Sequence, residues 1–324
     1  MSTEPSAAPS DSASDSQPTG ALQEQLAHLT TEAFRSELAE IDRLPTLDIA
    51  KLMNTEDGSV PAAVATQLPA IAAAIDATAE RMAQGGRLIY AGAGTAGRLG
   101  VLDASECPPT FNTSSDQVVG LIAGGPEALR TSVEGAEDSP ELAAADLEQL
   151  ALGSRDTVVG ISASGRTPYA VGAVRYARSQ HGALTIGLSC NAGSPLAAAA
   201  DHGIEIVVGP ELLAGSTRLK AGTAQKLVLN MISTLTMIRL GKTYGNLMVD
   251  VRASNDKLRA RSRRIVALAT GAEDEEIERA LSATDGEVKN AILMLLGDVD
   301  ATTATHLLAT SGGHLRKALE AGRA

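Results

Sequence analysis

The chain has few aromatic side chains and fewer basic than acidic residues. Phe, Tyr and Trp make up 2% of its 324 residues, and Trp is absent. It therefore offers few platforms on which nucleic-acid bases can stack. A net charge of −12, from 27 Lys and Arg against 39 Asp and Glu, disfavours binding to nucleic acids and to anionic membranes. An anionic ligand must instead be bound by a local site.

Cysteines and long apolar runs are also scarce. Cys107 and Cys190 are the two cysteines, too few for a disulfide framework, which indicates a reducing compartment. No apolar run approaches the roughly 18 residues of a membrane-spanning helix, and the N-terminus lacks a basic and then apolar signal pattern. The sequence predicts a soluble protein of the cytoplasm.

The distribution of apolar residues predicts three parts of the chain. Residues 1–27 are rich in Ser, Ala, Pro, Asp and Glu, a composition typical of a disordered tail. Residues 28–253 are predicted to form an α/β domain, and residues 254–324 a small C-terminal helical domain. Three segments of the latter have a helical pattern: Asp274–Ser282, Gly286–Leu296 and Ala301–Ala309.

Strand-like and helical patterns alternate within residues 28–253. An Ala-rich helical pattern over Val60–Ala83 is followed by five apolar runs, with helical segments between them. The runs are Leu88–Ala91, Val118–Ile122, Thr157–Ile161, Leu184–Leu188 and Ile204–Val208. This order predicts a doubly wound, five-stranded parallel sheet flanked by helices, with ligands at the carboxyl ends of the strands. The long apolar helix predicted after Gly222 is suited both to burial and to a dimer interface.

A glycine-rich turn follows the first predicted strand. Gly92, Gly94 and Gly97 fit the pattern GxGxxG and let the backbone approach a ligand at the start of a helix. A dinucleotide site also needs an acidic residue after the next strand, but Val118–Ile122 runs into Ala-Gly-Gly-Pro. The sequence therefore favours a phosphorylated small molecule over NAD. The candidate contacts in this segment are Gly94, Thr95 and Arg98.

Glu106 lies farther along the same segment, directly before Cys107, Pro108 and Pro109. Two prolines fix the backbone and remove N–H donors, so the sequence predicts a rigid turn that partly desolvates the carboxylate. Desolvation favours the protonated form, which suits a general acid. The alternative is that Glu106 is an ordinary residue at a helix end or on the surface.

The loop after the third predicted strand combines hydroxyls, a glycine and a cation. It reads Ser-Ala-Ser-Gly-Arg-Thr-Pro over residues 162–168. Thr167 is the predicted N-cap of a helix and Pro168 its first residue, so hydroxyls, free N–H groups and a guanidinium can converge on a phosphate. The alternative is ordinary capping beside a solvated arginine. The candidates for phosphate binding are Ser162, Ser164, Arg166 and Thr167.

Two further loops carry polar side chains. Residues 133–138, Val-Glu-Gly-Ala-Glu-Asp, form an acidic cluster after the second strand, which faces solvent unless the fold brings one of its carboxylates opposite Glu106. Residues 211–225 follow the last strand, and their hydroxyls and cations suit sugar hydroxyls or a carboxylate. The candidates there are Ser216 and Lys220, although a solvated loop explains Arg218 and Lys220 equally well.

Several long motifs occur in order along the chain. They are GAGTAGRLGVLDASECPPTF, GLIAGG, VEGAED, GISASGRTPY, GLSCN, STRLKAGTAQKLVLNM and GNLMVDV. From about His28 to the C-terminus, they closely resemble the N-acetylmuramic acid 6-phosphate etherases, members of the sugar isomerase (SIS) domain superfamily within a glucokinase regulatory protein-like group. The resemblance implies that the D-lactyl ether of N-acetylmuramic acid 6-phosphate is cleaved with water. The products would be N-acetylglucosamine 6-phosphate and D-lactate, in cell-wall sugar recycling and amino sugar catabolism.

The same resemblance implies roles for two carboxylates. In that family the glutamate of the SECPPT motif, here Glu106, protonates the departing lactate oxygen. The last glutamate of the EGAED motif, here Glu137, is the partner acid/base. The resemblance also implies a homodimer that binds a sugar phosphate without a metal ion or an organic cofactor.

Two positions depart from the family pattern. Relatives commonly have GAGTSGRLG, and this chain has Ala96 in place of the serine, which removes one candidate hydroxyl contact to the phosphate or the sugar. Asn112 stands where a glycine often follows the CPPT-aromatic sequence. From Asn112 we expect only a local change of turn.

Two other functions remain as hypotheses. A sugar-phosphate aldose/ketose isomerase would use the same fold, with Glu211 carrying a proton between C1 and C2. A non-catalytic sugar-phosphate sensor, similar to glucokinase regulatory proteins, would keep the phosphate loop without turnover. The presence of both Glu106 and Glu137 favours the etherase over either.

Overall fold

A five-stranded parallel sheet forms the centre of the protein. The computed structural model describes residues 29–131, 133–251 and 256–322, so the predicted tail, residues 1–27, lies outside the described residues. The strands are β1 Leu88–Gly92, β2 Val118–Ile122, β3 Thr157–Ile161, β4 Leu184–Ser189 and β5 His202–Glu205. They pair in the order β2-β1-β3-β4-β5, all in parallel. The doubly wound α/β prediction is confirmed.

Helices cover both faces of this sheet. They are α1 Thr46–Asp57, α2 Val60–Ala65, α3 Leu68–Ala83, α4 Gly94–Phe111, α5 Pro140–Gln149, α6 Pro168–His181, α7 Pro195–Ala199 and α8 Lys220–Arg239. Alternate strand residues point to opposite faces, so Leu88 and Tyr90 pack with α2, α3, α4 and α8, whereas Ile89 and Ala91 pack with α5 and α6. The predicted apolar helix after Gly222 is confirmed as α8, which begins two residues earlier.

The helical pattern over Val60–Ala83 is divided into two helices. α2 ends at Ala65 and α3 begins at Leu68. Pro69, the second residue of α3, has no N–H to donate to the carbonyl of Ala65. The first ladder therefore cannot continue, while a proline in the first turn of a new helix is well tolerated.

The last strand lies earlier than the predicted run Ile204–Val208. β5 ends at Glu205, although the N–H of Ile206 still donates to the Ser189 carbonyl (2.9 Å) and Ile206 and Val208 are buried. An apolar segment thus remains in the core after the ladder has ended. Apolar pattern alone does not mark where strand pairing stops.

The C-terminal part has its own apolar cluster. A short hairpin, β6 Thr243–Tyr244 with β7 Leu247–Met248, leads into further helices. These are α9 Asp256–Thr270, α10 Asp274–Ala283, α11 Val288–Gly297, α12 Ala301–Thr310 and α13 Leu315–Ala321. The three predicted helical segments correspond to α10, α11 and α12. Their buried side chains form a cluster separate from that of the sheet, and the domain boundary near residue 253 stays a prediction.

Across the described ranges, no single helix is long and apolar enough to cross a membrane. Two helix pairs joined at sharp bends, residues 46–83 and residues 288–310, meet the length and composition criteria only when each pair is taken together.

Candidate active site

The strand order creates a crevice between β1 and β3. From β1 the chain crosses to β2 on one side, whereas from β3 it crosses to β4 on the other. The loops that follow these two adjacent strands therefore diverge, and such a switch point is where open α/β sheets bind ligands. The two loops are Ala93–Thr95 and Ser162–Thr167, which are the two predicted anion-binding segments.

The first loop is a tight turn into α4. Gly94 has φ +53°, and a Cβ on Gly97 would lie 2.6 Å from the carbonyl oxygen of Gly92, so both positions require glycine. A Cβ on Gly222 would lie 3.5 Å from Cγ2 of Thr95, which brings the N-termini of α4 and α8 together. Gly94 and Thr95 thus lie at the crevice, at the start of α4, where helix N–H groups favour an anion. The first N–H groups of α8 are already bonded, to Glu211 and to the carbonyls of Thr217 and Leu219.

The second loop is organised by its own hydroxyls. Oγ of Ser162 accepts from the N–H of Gly165 (3.0 Å) and bonds to Oγ1 of Thr167 (2.8 Å), and Oγ of Ser164 accepts from the N–H of Arg166 (3.2 Å). Thr167 is the N-cap of α6 and Pro168 its first residue, as predicted. The Arg166 side chain is exposed and has no hydrogen-bond or ion-pair partner among the described residues. It is therefore available to an anionic ligand.

A second layer holds this loop rigidly. Gly165 has φ +69°, and a Cβ there would lie 2.3 Å from Cβ of Ser194. Nδ2 of Asn191 donates to the carbonyl of Ala163 (3.0 Å), while its Oδ1 accepts from Thr30 (2.9 Å). Asn191 was not among the predicted site residues. Its role depends on a contact with a segment 161 residues away, which no local pattern reveals.

Two predicted ligand-binding cations are engaged inside the protein instead. Arg98 donates to the carbonyls of Ala128 (2.7 Å) and Leu129 (3.1 Å) and so holds the turn after β2. Lys220 is 3% exposed, and its Nζ lies 2.8 Å from Oε2 of Glu56 on α1. Both cations thus have partners within the protein, and the ligand contacts predicted for them stay a prediction. Ser216 remains partly exposed in the loop before α8.

Glu211 caps α8. Its two carboxylate oxygens accept from the N–H groups of Lys220 and Ala221, each at 2.9 Å. The side chain is almost fully buried, and this burial raises the pKa of the carboxyl group, against the effect of the two backbone hydrogen bonds. Glu211 is therefore bonded to the start of α8, with almost none of its side chain exposed.

Glu106 lies inside α4, and the rigid turn predicted at Pro108 and Pro109 is wrong. The helix continues through both prolines to Phe111. Oγ1 of Thr110 donates to the carbonyl of Glu106 (2.7 Å), while Phe111 is buried in the sheet core. Tertiary packing therefore outweighs the lost backbone donors. Asn112 ends the helix at φ 51°, a left-handed conformation that suits Gly or Asn and agrees with the expected local change.

Glu106 and Glu137 lie at opposite edges of the sheet. α4 runs antiparallel to the strands, because Gly97 lies beside Gly92 whereas Val101 lies beside Gly120. Five more residues carry the helix about 7.5 Å farther, so Glu106 is level with the amino ends of the strands. Glu137 lies in a 3-10 turn, Ala136–Asp138, beyond the carboxyl end of β2. One strand length, about 15 Å, separates the two levels.

Glu106 borders a small cavity between α4 and α8. The cavity has a volume of about 270 Å³ and is lined by Leu99, Leu102, Asp103, Glu106, Lys226, Leu229 and Asn230. Beneath it, Asp103 is buried and accepts from Tyr90 (2.7 Å), Asn230 (2.6 Å) and Ser233 (3.1 Å). Burial raises the pKa of Asp103, partly offset by these three hydrogen bonds. Both Glu106 and Glu137 are exposed.

Comparison with known proteins identifies the domain type and the family. Residues 70–178 match the family described as the glucokinase regulatory protein N-terminal SIS domain, and residues 139–235 match the SIS domain. Proteins named N-acetylmuramic acid 6-phosphate etherase are 80% identical in Streptomyces coelicolor and 79% in Streptomyces avermitilis, each over 93% of this chain and 96% of the relative. A Vibrio campbellii protein of the same name is 57% identical over 93% of this chain and 97% of its own. The chain belongs to the N-acetylmuramic acid 6-phosphate etherase family.

Proposed function

We propose that this enzyme cleaves the D-lactyl ether of N-acetylmuramic acid 6-phosphate, giving N-acetylglucosamine 6-phosphate and D-lactate in cell-wall sugar recycling. The name shared by its relatives supports the reaction. The hydroxyl-rich loop at the switch point, with an exposed Arg166 that has no partner among the described residues, supports a phosphorylated substrate. The crevice provides the phosphate site through Gly94, Thr95, Ser162, Ser164, Arg166 and Thr167, and Ser216 contacts the sugar.

The chemistry requires two carboxylates and no activated water. When the sugar ring opens, the C3 ether oxygen lies β to the C1 aldehyde, so removal of the C2 proton permits elimination of lactate. Glu137 takes that proton, and Glu106 protonates the leaving oxygen. Water then adds to the electrophilic unsaturated aldehyde at C3, with the proton transfers reversed. No metal ion or organic cofactor is part of this scheme.

The distance between the two carboxylates leads us to propose that two subunits share each active site. Along the strand direction, Glu106 and Glu137 of one chain lie about one strand length apart. We therefore assign each active site to two subunits of a homodimer. Glu137 and the phosphate loops come from one subunit, and the acid is Glu106 of the partner subunit. Leu102, Leu235 and Ile238 on α4 and α8 are 51%, 42% and 42% exposed, an apolar surface suited to such an interface.

Mixed dimers test this arrangement. Glu106→Gln and Glu137→Gln subunits with different tags are co-expressed, and lactate release is measured on the mixture. Sites shared between subunits predict recovery of about a quarter of the wild-type rate, because half of the random dimers carry one intact site of their two. Each variant assayed alone is the control. A mixture no more active than its components would place both carboxylates in the same subunit.

Isotopes test the reaction path. In H₂¹⁸O, elimination places the label in the C3 hydroxyl of the sugar, while lactate keeps the ether oxygen. In D₂O, deuterium enters at C2 unless the base returns the same proton. Label in the lactate hydroxyl and none at C3 would instead identify displacement at the lactyl carbon.

Two competing functions fit the site less well. An isomerase that uses Glu211 is disfavoured, because both oxygens of that carboxylate accept backbone N–H groups. A sensor without turnover would have no use for Glu106 beside an open cavity. Lactate release separates all three functions. Cys107 and Cys190 are buried free thiols, which supports a cytoplasmic location.

A further inference from the structure

The cavity beside Glu106 contains a cation that the scheme above does not use. Lys226 lies on α8 and lines the same 270 Å³ cavity as Glu106. Its side chain is exposed, and within the described part of the chain it has no hydrogen-bond or ion-pair partner. The nearby carboxylate of Asp103 already accepts three hydrogen bonds. The positive charge of Lys226 partly offsets the rise that burial causes in the pKa of Asp103, but no hydrogen bond among the described residues fixes the ammonium group.

The rest of the cavity is built from fixed or apolar groups. Asn230, one helical turn after Lys226, is held by its bond to Asp103 (2.6 Å). Asp103 in turn accepts a hydrogen bond from Tyr90 of β1, whose side chain is fully buried between the sheet and the helices. The side chains of Leu99, Leu102 and Leu229 form the aliphatic wall. A rigid floor, an apolar wall and a cation without a hydrogen-bond partner among the described residues together suit a small carboxylate with a short alkyl group.

The leaving group has this chemistry. The oxygen that Glu106 protonates is bonded to a carbon that also carries a methyl and a carboxylate, so the carboxylate lies two bonds from the ether oxygen. A cation in the same cavity as the acid is correctly placed to meet it. We propose that Lys226 binds the carboxylate of the lactyl group, and that the leucine wall receives its methyl group. This inference rests on the proposed role of Glu106 as the acid.

Lys226→Met tests the proposal with two substrates. One is N-acetylmuramic acid 6-phosphate, and the other is its lactamide, in which a neutral carboxamide replaces the carboxylate. A hydrogen bond between charged groups contributes enough for kcat/KM on the acid to fall about 10- to 100-fold. Turnover of the amide should change by less than about threefold, since it never had the ionic contact. Lys226→Arg should keep most of the preference for the acid.

A matched control uses the same helix. Arg239→Met also removes a cation from α8, about 20 Å along the helix from Lys226, where Arg239 pairs with Asp76. It should leave the preference for the acid over the amide as in the wild type. A second readout is C2 proton exchange in D₂O with N-acetylglucosamine 6-phosphate, which has no lactyl group. Lys226→Met should retain this exchange.

Each outcome decides the matter. Equal losses on the acid and the amide, or loss of C2 exchange, would show that Lys226 supports the site without recognising the carboxylate. Wild-type activity in Lys226→Met would overturn the Lys226 proposal alone. A wild-type enzyme that released no lactate would overturn the etherase function, and the lactyl site with it.

Discussion

The two carboxylates proposed for catalysis lie on surfaces that are built in different ways. Glu137 belongs to the carboxyl edge of the sheet, where short loops present backbone N–H groups, hydroxyls and Arg166. Glu106 belongs to the face formed by α4 and α8, where it stands among leucines, Lys226 and a buried network around Asp103. The first surface suits a phosphate, and the second suits a small organic acid.

Under the proposed mechanism, neither surface is sufficient by itself. Loops at a switch point supply donors for an anion, but the second carboxylate of the same chain is about one strand length away in level. The helix face supplies an acid and a cation, but no phosphate loop. In the proposed homodimer, one surface would lie against the other and the two halves would meet at two equivalent sites.

The largest effect should come from the carboxylates themselves. Glu106→Gln and Glu137→Gln should each reduce lactate release by about 10²- to 10⁴-fold, the usual contribution of a general acid or base. Glu106→Gln should still exchange the C2 proton with D₂O, whereas Glu137→Gln should not. Near-normal turnover in either variant would remove that residue from the mechanism.

The next largest effect should be the loss of phosphate binding when Arg166, at the carboxyl edge, is removed. Arg166→Ala should weaken binding of the phosphorylated sugar by about 10- to 100-fold, the range of a charged hydrogen bond. Binding of the unphosphorylated sugar should be little affected. Arg98→Ala is the matched control, since Arg98 holds a turn through two carbonyls and should not distinguish the two ligands. Equal losses for both ligands in Arg166→Ala would assign it a structural role.

A third change acts on stability at the amino edge. Asp156, before β3, receives two side-chain bonds from Arg87, before β1 (3.1 and 2.7 Å). Burial opposes its ionisation, but the hydrogen bonds from Arg87 and Gly153 outweigh it and hold the pKa of Asp156 below its usual range. A carboxyl group whose pKa is lower in the folded state than in the unfolded chain stabilises the folded state at pH values above its unfolded pKa of about 4. This stabilisation is lost as the pH falls through the pKa of the folded state.

Urea unfolding of Asp156→Asn measures this contribution. The variant should be less stable than the wild type at pH 7, and the gap should narrow as pH falls below about 4. The rate of C2 exchange by the folded variant at pH 7 should be unchanged, because Asp156 touches neither half of the site. If the difference in the free energy of unfolding between the two proteins did not change with pH, the charge of Asp156 would not contribute to stability.

The smallest effect should come from Ala96→Ser. Ala96 is 7% exposed and packs in the sheet core, while the second loop already supplies three hydroxyls. Restoring the serine should change phosphate affinity by about 1 kcal/mol or less, the net value of one neutral hydrogen bond. Titration with the sugar phosphate measures this change in affinity. An affinity more than tenfold higher in Ala96→Ser would show that the phosphate site of the present chain is incomplete without a hydroxyl at this position.

Local rules predicted the start of α6 correctly. The residue order around Thr167 and Pro168 specifies a helix start, and capping depends on neighbours within a few residues. The same kind of rule failed at Pro108 and Pro109, where a helix packed along the sheet continues despite the missing donors. A proline inside a helix costs about 3 kcal/mol, so the burial of Phe111 together with the rest of the helix face must offset this cost.

Sequence patterns could not predict which residues far apart in the chain pair with each other. Lys220 was predicted to contact a ligand, yet its ammonium group pairs with Glu56, 164 residues away. Arg98 likewise bonds to carbonyls 30 and 31 residues farther on. A cation in a polar loop has the same local pattern whether it meets a ligand or another part of the chain, because only the fold decides which oxygen is near.

The sequence alone determined the sheet, the glycine turn, the hydroxyl loop and the family, since each depends on residues close together or on motifs in order. The tertiary structure decided where the functional groups face. It placed Glu106 and Glu137 at opposite edges, because α4 runs back along the strands for 18 residues. It also brought Lys226 into the cavity of Glu106, although Lys226 lies 120 positions farther along the chain, beyond the range of any local pattern.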